Sequence, residues 1–164
     1  MLLRPYQEVA VNSASEALDK HGNTVVVAPT GAGKTIMLSS LIGKRHNSRK
    51  NVLVLQHRDE LVNQNISKFQ RINPNISTSV VNAEQKNWDG DAVFSMVQTL
   101  SRPNNLEKMK PVDMVVVDES HHIVAETYTR IINHAKENNK NVEIVGFTAT
   151  PNRGDKKGLR EVFT

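Results

Sequence analysis

Five short apolar runs constrain the fold more than any other feature of this chain: 24–28 (TVVVA), 51–56 (NVLVLQ), 92–97 (AVFSMV), 112–117 (VDMVVV) and 142–147 (VEIVGF). They are rich in valine and continuous rather than alternating, which is how strands read when both faces of a sheet are covered. Residues 77–82 (STSVVN) form a weaker sixth candidate. Segments with helical spacing lie between them, at 5–20, 34–46, 58–72, 98–109 and 122–138. Strand and helix in alternation predict an α/β domain of three layers, a mostly parallel central sheet covered by helices on both faces. Residues 83–91 (AEQKNWDGD) and 152–158 (NRGDKKG) read as polar loops. A length of 164 residues suits one domain with a proper core.

Composition excludes several classes. No stretch reaches the roughly 18 uninterrupted apolar residues of a membrane span, so no membrane partner is expected. Arg4 and Pro5 interrupt the start before a secretory h-region could form. The absence of cysteine excludes disulfides and thiolate metal sites and suits a reducing cytoplasm, the expected compartment. A formal net charge of +4 leans towards an anionic partner.

The first run leads into APTGAGKT at 28–35. Gly33, Lys34 and Thr35 fill the last three positions of a P-loop pattern whose first glycine is replaced by Ala28. Gly31 and Gly33 free the backbone to curl, so in the turn Pro29–Gly33 successive N–H groups from Thr30 onward, with the following helix start, converge on one anion. Lys34 then reaches the β- and γ-phosphates, and Thr35 offers its hydroxyl to Mg²⁺. A nucleoside triphosphatase needs further acidic groups, and the run ending at 117 is followed by Asp118 and Glu119. Asp118 is expected to hold Mg²⁺ opposite Thr35, and Glu119 to polarise the attacking water. A third motif, GFTATP at 146–151, again closes an apolar run. All three fall at the carboxyl ends of predicted strands, where open α/β sheets bind ligands.

Taken together, APTGAGKT (28–35), DESH (118–121) and TATP (148–151) resemble the first RecA-like domain of superfamily 2 helicases and translocases. The resemblance runs from residue 3 to about 154. LRPYQ (3–7) is similar to the adenine-recognition element of such domains: Gln7 carries an amide suited to adenine N6 and N7, and Arg4 would lie against base or phosphates. LQHRDELVNQ (55–64) and SMVQTLSR (95–102) resemble two nucleic-acid contact motifs, which implies backbone contacts by Arg58, Gln98, Thr99 and Arg102. Thr148 and Thr150 would couple nucleotide state to nucleic acid, and His121 would relay that coupling. LRPYQ, DESHH and TATPNRGD look like the branch of type III restriction helicase subunits and DNA repair translocases, so DNA is favoured over RNA.

Motors of this kind use two RecA-like domains. Residues 1–154 are therefore expected to be the ATP-binding domain and 155–164 the start of a linker towards a second domain, working in cis or in trans. Two rivals are a P-loop phosphotransferase and a nucleotide-dependent adaptor docking a nuclease or repair partner. The first needs a lid and phosphate-clamping arginines that are not evident. The second is disfavoured by the intact Lys34, Thr35, Asp118 and Glu119. The basic run Lys44, Arg45, Arg49 and Lys50 is expected to be a solvated helix end and turn, and Trp88 to pack over the sheet edge rather than stack on a base.

Overall fold

The computed structural model describes residues 3–28, 31–118 and 125–148. In chain order, α1 (Pro5–His21), β1 (Asn23–Val27), α2 (Gly31–Arg45), β2 (Val52–Gln56), α3 (Asp59–Ile72) and β3 (Thr78–Val81) make the first half. Then follow β4 (Ala92–Met96), α4 (Val97–Leu100), α5 (Pro103–Leu106), β5 (Met114–Asp118), α6 (Ala125–Asn138) and β6 (Glu143–Thr148). Every expected strand is present, and the six form one sheet in the order β1-β6-β5-β2-β4-β3 with all neighbours parallel.

Parallel crossovers are right-handed, so the direction of travel across the sheet decides which face a connecting helix covers. The chain moves one way from β1 to β3, placing α2 and α3 on the face where α1 also packs. It returns from β4 to β6, placing α4, α5 and α6 on the other. The two cores follow this division. Val11, Met37, Leu41 and Phe69 meet Val54, Phe94, Val116 and Phe147 on the first face. Leu100, Leu106, Tyr128 and Ile131 meet Leu53, Leu55, Val115 and Ile144 on the second. Alternate residues of one run feed opposite cores, which is why the runs are apolar throughout.

Two elements depart from expectation. The helix expected over 98–109 is split into α4 and α5, because Pro103 disfavours a helical Arg102, which sits extended at φ −67° and ψ 135°. Pro103 then opens the next turn, where its missing N–H costs nothing. Also, α2 starts at Gly31, inside the glycine-bearing turn, rather than at Lys34. At the end of α1, Gly22 adopts φ 76°, the left-handed cap that lets β1 turn back along the helix. Trp88 is half-buried against the second core, as expected. No helix among the described residues is long and apolar enough to cross a membrane.

The basic run after the phosphate turn is not uniformly solvated. Lys44 and Lys50 are exposed, but Arg45 is 7% exposed and forms a two-pronged pair with Glu143, Nε–Oε1 2.8 Å and Nη2–Oε2 2.5 Å. The same guanidinium donates to Ser15 O at 3.1 Å, Ser15 Oγ at 2.6 Å and Asp19 Oδ1 at 2.9 Å. Burial works against its charge, yet the bonds to Glu143 and Asp19 outweigh it and hold the Arg45 pKa above its ordinary value. One side chain thus ties α1, α2 and β6 together at the amino-terminal rim of the sheet.

Helices α2 and α3 fit closely at Gly43, where an added Cβ would run into Asn73 Oδ1. Asn73 in turn donates from Nδ2 to Ser39 O at 2.8 Å. Gly43→Ala gains about 1 kcal/mol of helix propensity but displaces Asn73 and its hydrogen bond, a loss of about 1–3 kcal/mol. We expect net destabilisation in the wild type and net stabilisation in an Asn73→Ala background. Urea unfolding of the four chains reads the sign change; the same sign in both backgrounds would refute the contact.

Candidate functional site

The carboxyl-terminal rim gathers the described residues that the sequence singles out. Lys34 and Thr35 lie in the first turn of α2, just after the edge strand β1, and Asp118 ends β5, two strands away across β6. The Lys34 ammonium stands 2.8 Å from Asp118 Oδ1, with both side chains largely buried. Parallel pairing sets this meeting: Val27 is level with Thr148, and Asp118 with Phe147. The strands therefore end together at one rim. The backbone is also joined here, since Ala28 N–H donates to Thr148 O at 2.7 Å.

Thr35 is 5% exposed and donates its hydroxyl to Asn65 Oδ1 on α3 at 3.1 Å. Gln56, at the end of β2, donates from Nε2 to Asp118 Oδ2 at 3.5 Å, while its Oε1 is buried and receives no donor among the described residues. His57 follows at the rim. Burial lowers its pKa and the positive charges of Arg58 and Lys34 lower it further, against a raising pull from Asp118, so the ring is held neutral at neutral pH. Gln7 is buried beneath the turn: its Oε1 accepts Arg4 N–H at 2.9 Å, and its Nε2 lies 3.1 Å from where a Cβ on Gly33 would stand. Gly33 thus leaves room for the start of α1 to pack on the phosphate turn. The Arg4 side chain is exposed.

Arg58 caps α3 just after β2, and Gln98, Thr99 and Arg102 follow β4. Because β2 and β4 are adjacent and level at Gln56 and Met96, these four positions share one stretch of the rim. Arg58, Gln98 and Arg102 are exposed, and Thr99 is half-buried. Pro29, Thr30, Glu119, His121 and Thr150 lie outside the described residues, as does the side chain of Ala32, and of Gly31 only the backbone is described.

Asn65, Gln56 and His57, which stand beside Thr35 and Asp118, are not among the residues that the sequence singles out for the candidate site. Asn65 left a readable signal: it occupies the buried stripe of α3 with Val62 and Phe69, where a polar residue is out of pattern. Gln56 likewise ends an otherwise apolar, fully buried strand.

Residues 1–153 match the family described as "Type III restriction enzyme, res subunit". Over 177 aligned residues the chain is 31% identical to a Saccharomyces cerevisiae protein provisionally named ATP-dependent helicase IRC3, covering 99% of this chain and 25% of the relative. The crystal structure of the Pyrococcus furiosus Hef helicase domain superposes with a TM-score of 0.78 at 22% identity, over 98% of this chain and 36% of that one. The Sulfolobus solfataricus SWI2/SNF2 ATPase core in complex with dsDNA gives 0.73 at 18% identity, over 100% of this chain and 36% of that one. The chain thus spans about a quarter of the length of the yeast relative.

Proposed function

The chain belongs to the family of the type III restriction enzyme res subunit, with the fold of a first RecA-like domain of superfamily 2 helicases, and from that premise we propose that it is the ATP-binding half of an ATP-dependent DNA helicase or translocase. One observation carries the reading: Lys34 and Asp118 meet at 2.8 Å on the carboxyl rim, with Thr35 beside Lys34. In this proposal the ammonium of Lys34 exchanges its carboxylate partner for the β- and γ-phosphates when the nucleotide enters. The backbone from Pro29 to Gly33 cradles the phosphates, Gln7 and Arg4 receive the adenine end, and Glu119 orients the attacking water. His121, Thr148 and Thr150 pass the nucleotide state onward.

The donor set fits a magnesium ion. Thr35 and Asp118 supply hard oxygens, and the buried Gln56 Oε1 beside Asp118 has no donor among the described residues. Thr35 and Asp118 would hold the ion, which neutralises charge on the transferring phosphoryl group when bound. Arg58, Gln98, Thr99 and Arg102 would follow a nucleic-acid backbone with little regard to sequence. A second RecA-like domain would close the cleft and supply an arginine worth a thousand-fold or more in rate, on the order of known arginine fingers. Alone, the chain is expected to bind Mg-nucleotide weakly, hydrolyse ATP slowly and leave duplexes paired.

Two measurements test this. ATP turnover is compared with and without single-stranded DNA, on this chain and on one carrying the second domain; stimulation in neither would overturn the motor reading in favour of an adaptor. Single-strand affinity is then titrated against salt. Each phosphate contact contributes a slope of about −0.7 in log K against log salt for single strands. Arg58→Ala should weaken binding several-fold and flatten the slope by about one such step. Affinity indifferent to salt would remove the phosphate contacts.

A further inference from the structure

We infer that Asn65 is a positioning residue for the divalent cation: its Oδ1 accepts the hydrogen bond donated by the Thr35 hydroxyl and so fixes the direction of the lone pairs that face the metal. The inference rests on the proposed nucleotide site and extends it to a residue of α3.

A threonine hydroxyl has one proton and two lone pairs, and its rotor is set by whichever acceptor is near. Only a lone pair can serve a cation; a proton turned towards the metal would oppose binding. The Thr35 proton has a committed acceptor in Asn65 Oδ1 at 3.1 Å, and the two residues are 5% and 7% exposed, so water competes little for it. The partner is itself held. Asn65 lies between Val62 and Phe69, both buried in the first core, and farther along α3 Asn73 grips α2 through Ser39 O at 2.8 Å. Helix α3 is therefore tied to the P-loop helix at its middle and at its carboxyl end, and the acceptor is preorganised before the metal arrives. An asparagine on this apolar stripe otherwise costs a buried amide, which the hydroxyl bond offsets.

The test titrates a fluorescent ADP analogue against wild type, Asn65→Leu, Asn65→Ala and Asn65→Asp, in Mg²⁺ and in EDTA. Wild type should bind more tightly with Mg²⁺. Asn65→Leu and Asn65→Ala should lose about tenfold of that enhancement, the scale of one buried hydrogen bond, while affinity in EDTA stays within about twofold. Asn65→Asp, whose carboxylate accepts the same proton, should keep the enhancement. In a Thr35→Ala background, Asn65→Ala should add no further loss, because no hydroxyl remains to orient. Asn65→Ala and Asn65→Asp keep the test open where the leucine variant does not fold. Equal losses in Mg²⁺ and EDTA, full retention of the wild-type ratio, or an undiminished effect without Thr35 would each overturn the role. Wild type binding equally well with and without Mg²⁺ would instead overturn the cation site at Thr35 and Asp118, and wild type that binds the analogue in neither condition would overturn the nucleotide site on which the inference rests.

Discussion

Replacing Lys34 with methionine should remove nearly all stabilisation of the chain by Mg-ADP. The lysine supplies a charged hydrogen bond to the phosphates, worth about 1.5–3 kcal/mol, and up to about a hundred-fold in affinity at the upper end. A ligand present at 100 times its Kd stabilises the native state by about 2.7 kcal/mol, and the same concentration after a hundred-fold loss gives about 0.4 kcal/mol. For a domain of this size the thermal shift should fall from roughly 5–10 °C to about 1 °C. The free chain is affected too, because the largely buried Asp118 loses its ammonium and keeps, among the described residues, the long bond from Gln56. Asp118→Asn in the methionine background should recover part of that lost baseline stability without restoring the ligand shift. A methionine variant with the wild-type shift would show that phosphate is not read here.

The second large effect lies at the opposite rim. Arg45→Ala should cost about 3–5 kcal/mol, the range for removing one partner of a buried ion pair, which lowers Tm by roughly 10 °C or more. The loss is steep because Glu143, 2% exposed, is left with the Nε of Arg49 at 3.3 Å as its remaining ion pair among the described residues. Arg45→Lys keeps the charge but not the fork that spans both oxygens of Glu143, so it should fall between. Arg45→Met with Glu143→Met should recover much of the loss, since no bare charge stays buried. Below the new Tm, Mg-nucleotide affinity should stay within about twofold of wild type. Thermal melts with parallel nucleotide titrations check both halves; a melt unchanged by Arg45→Ala would mean the cluster contributes nothing.

The contrast between these two sites explains how much was legible beforehand. Lys34, Thr35 and Asp118 stand where their runs end, and parallel pairing brings such ends to one rim, so reading the strands also foretold that these three side chains would meet. The valine runs announced themselves by continuity, whereas the helix expected over 98–109 ran through Pro103, whose restriction on Arg102 breaks it. Arg45 and Glu143 lie 98 positions apart. Nothing local marks them as partners, and Arg45 sits among basic neighbours of which two are indeed exposed. Their meeting depends on β6 returning beside β1 under α1, a consequence of strand order rather than of any pattern nearby. Asn65 is intermediate: its misfit on an apolar stripe was visible, but the identity of its partner needed the packing of α3 on α2.

Chemistry and cohesion thus occupy opposite ends of the sheet. The groups around Lys34 line one end, and the guanidinium that locks three elements closes the other. Protein engineers can exploit that separation: the Ser15, Asp19 and Glu143 neighbourhood offers room to toughen this fold against heat while the reactive crevice keeps its own geometry.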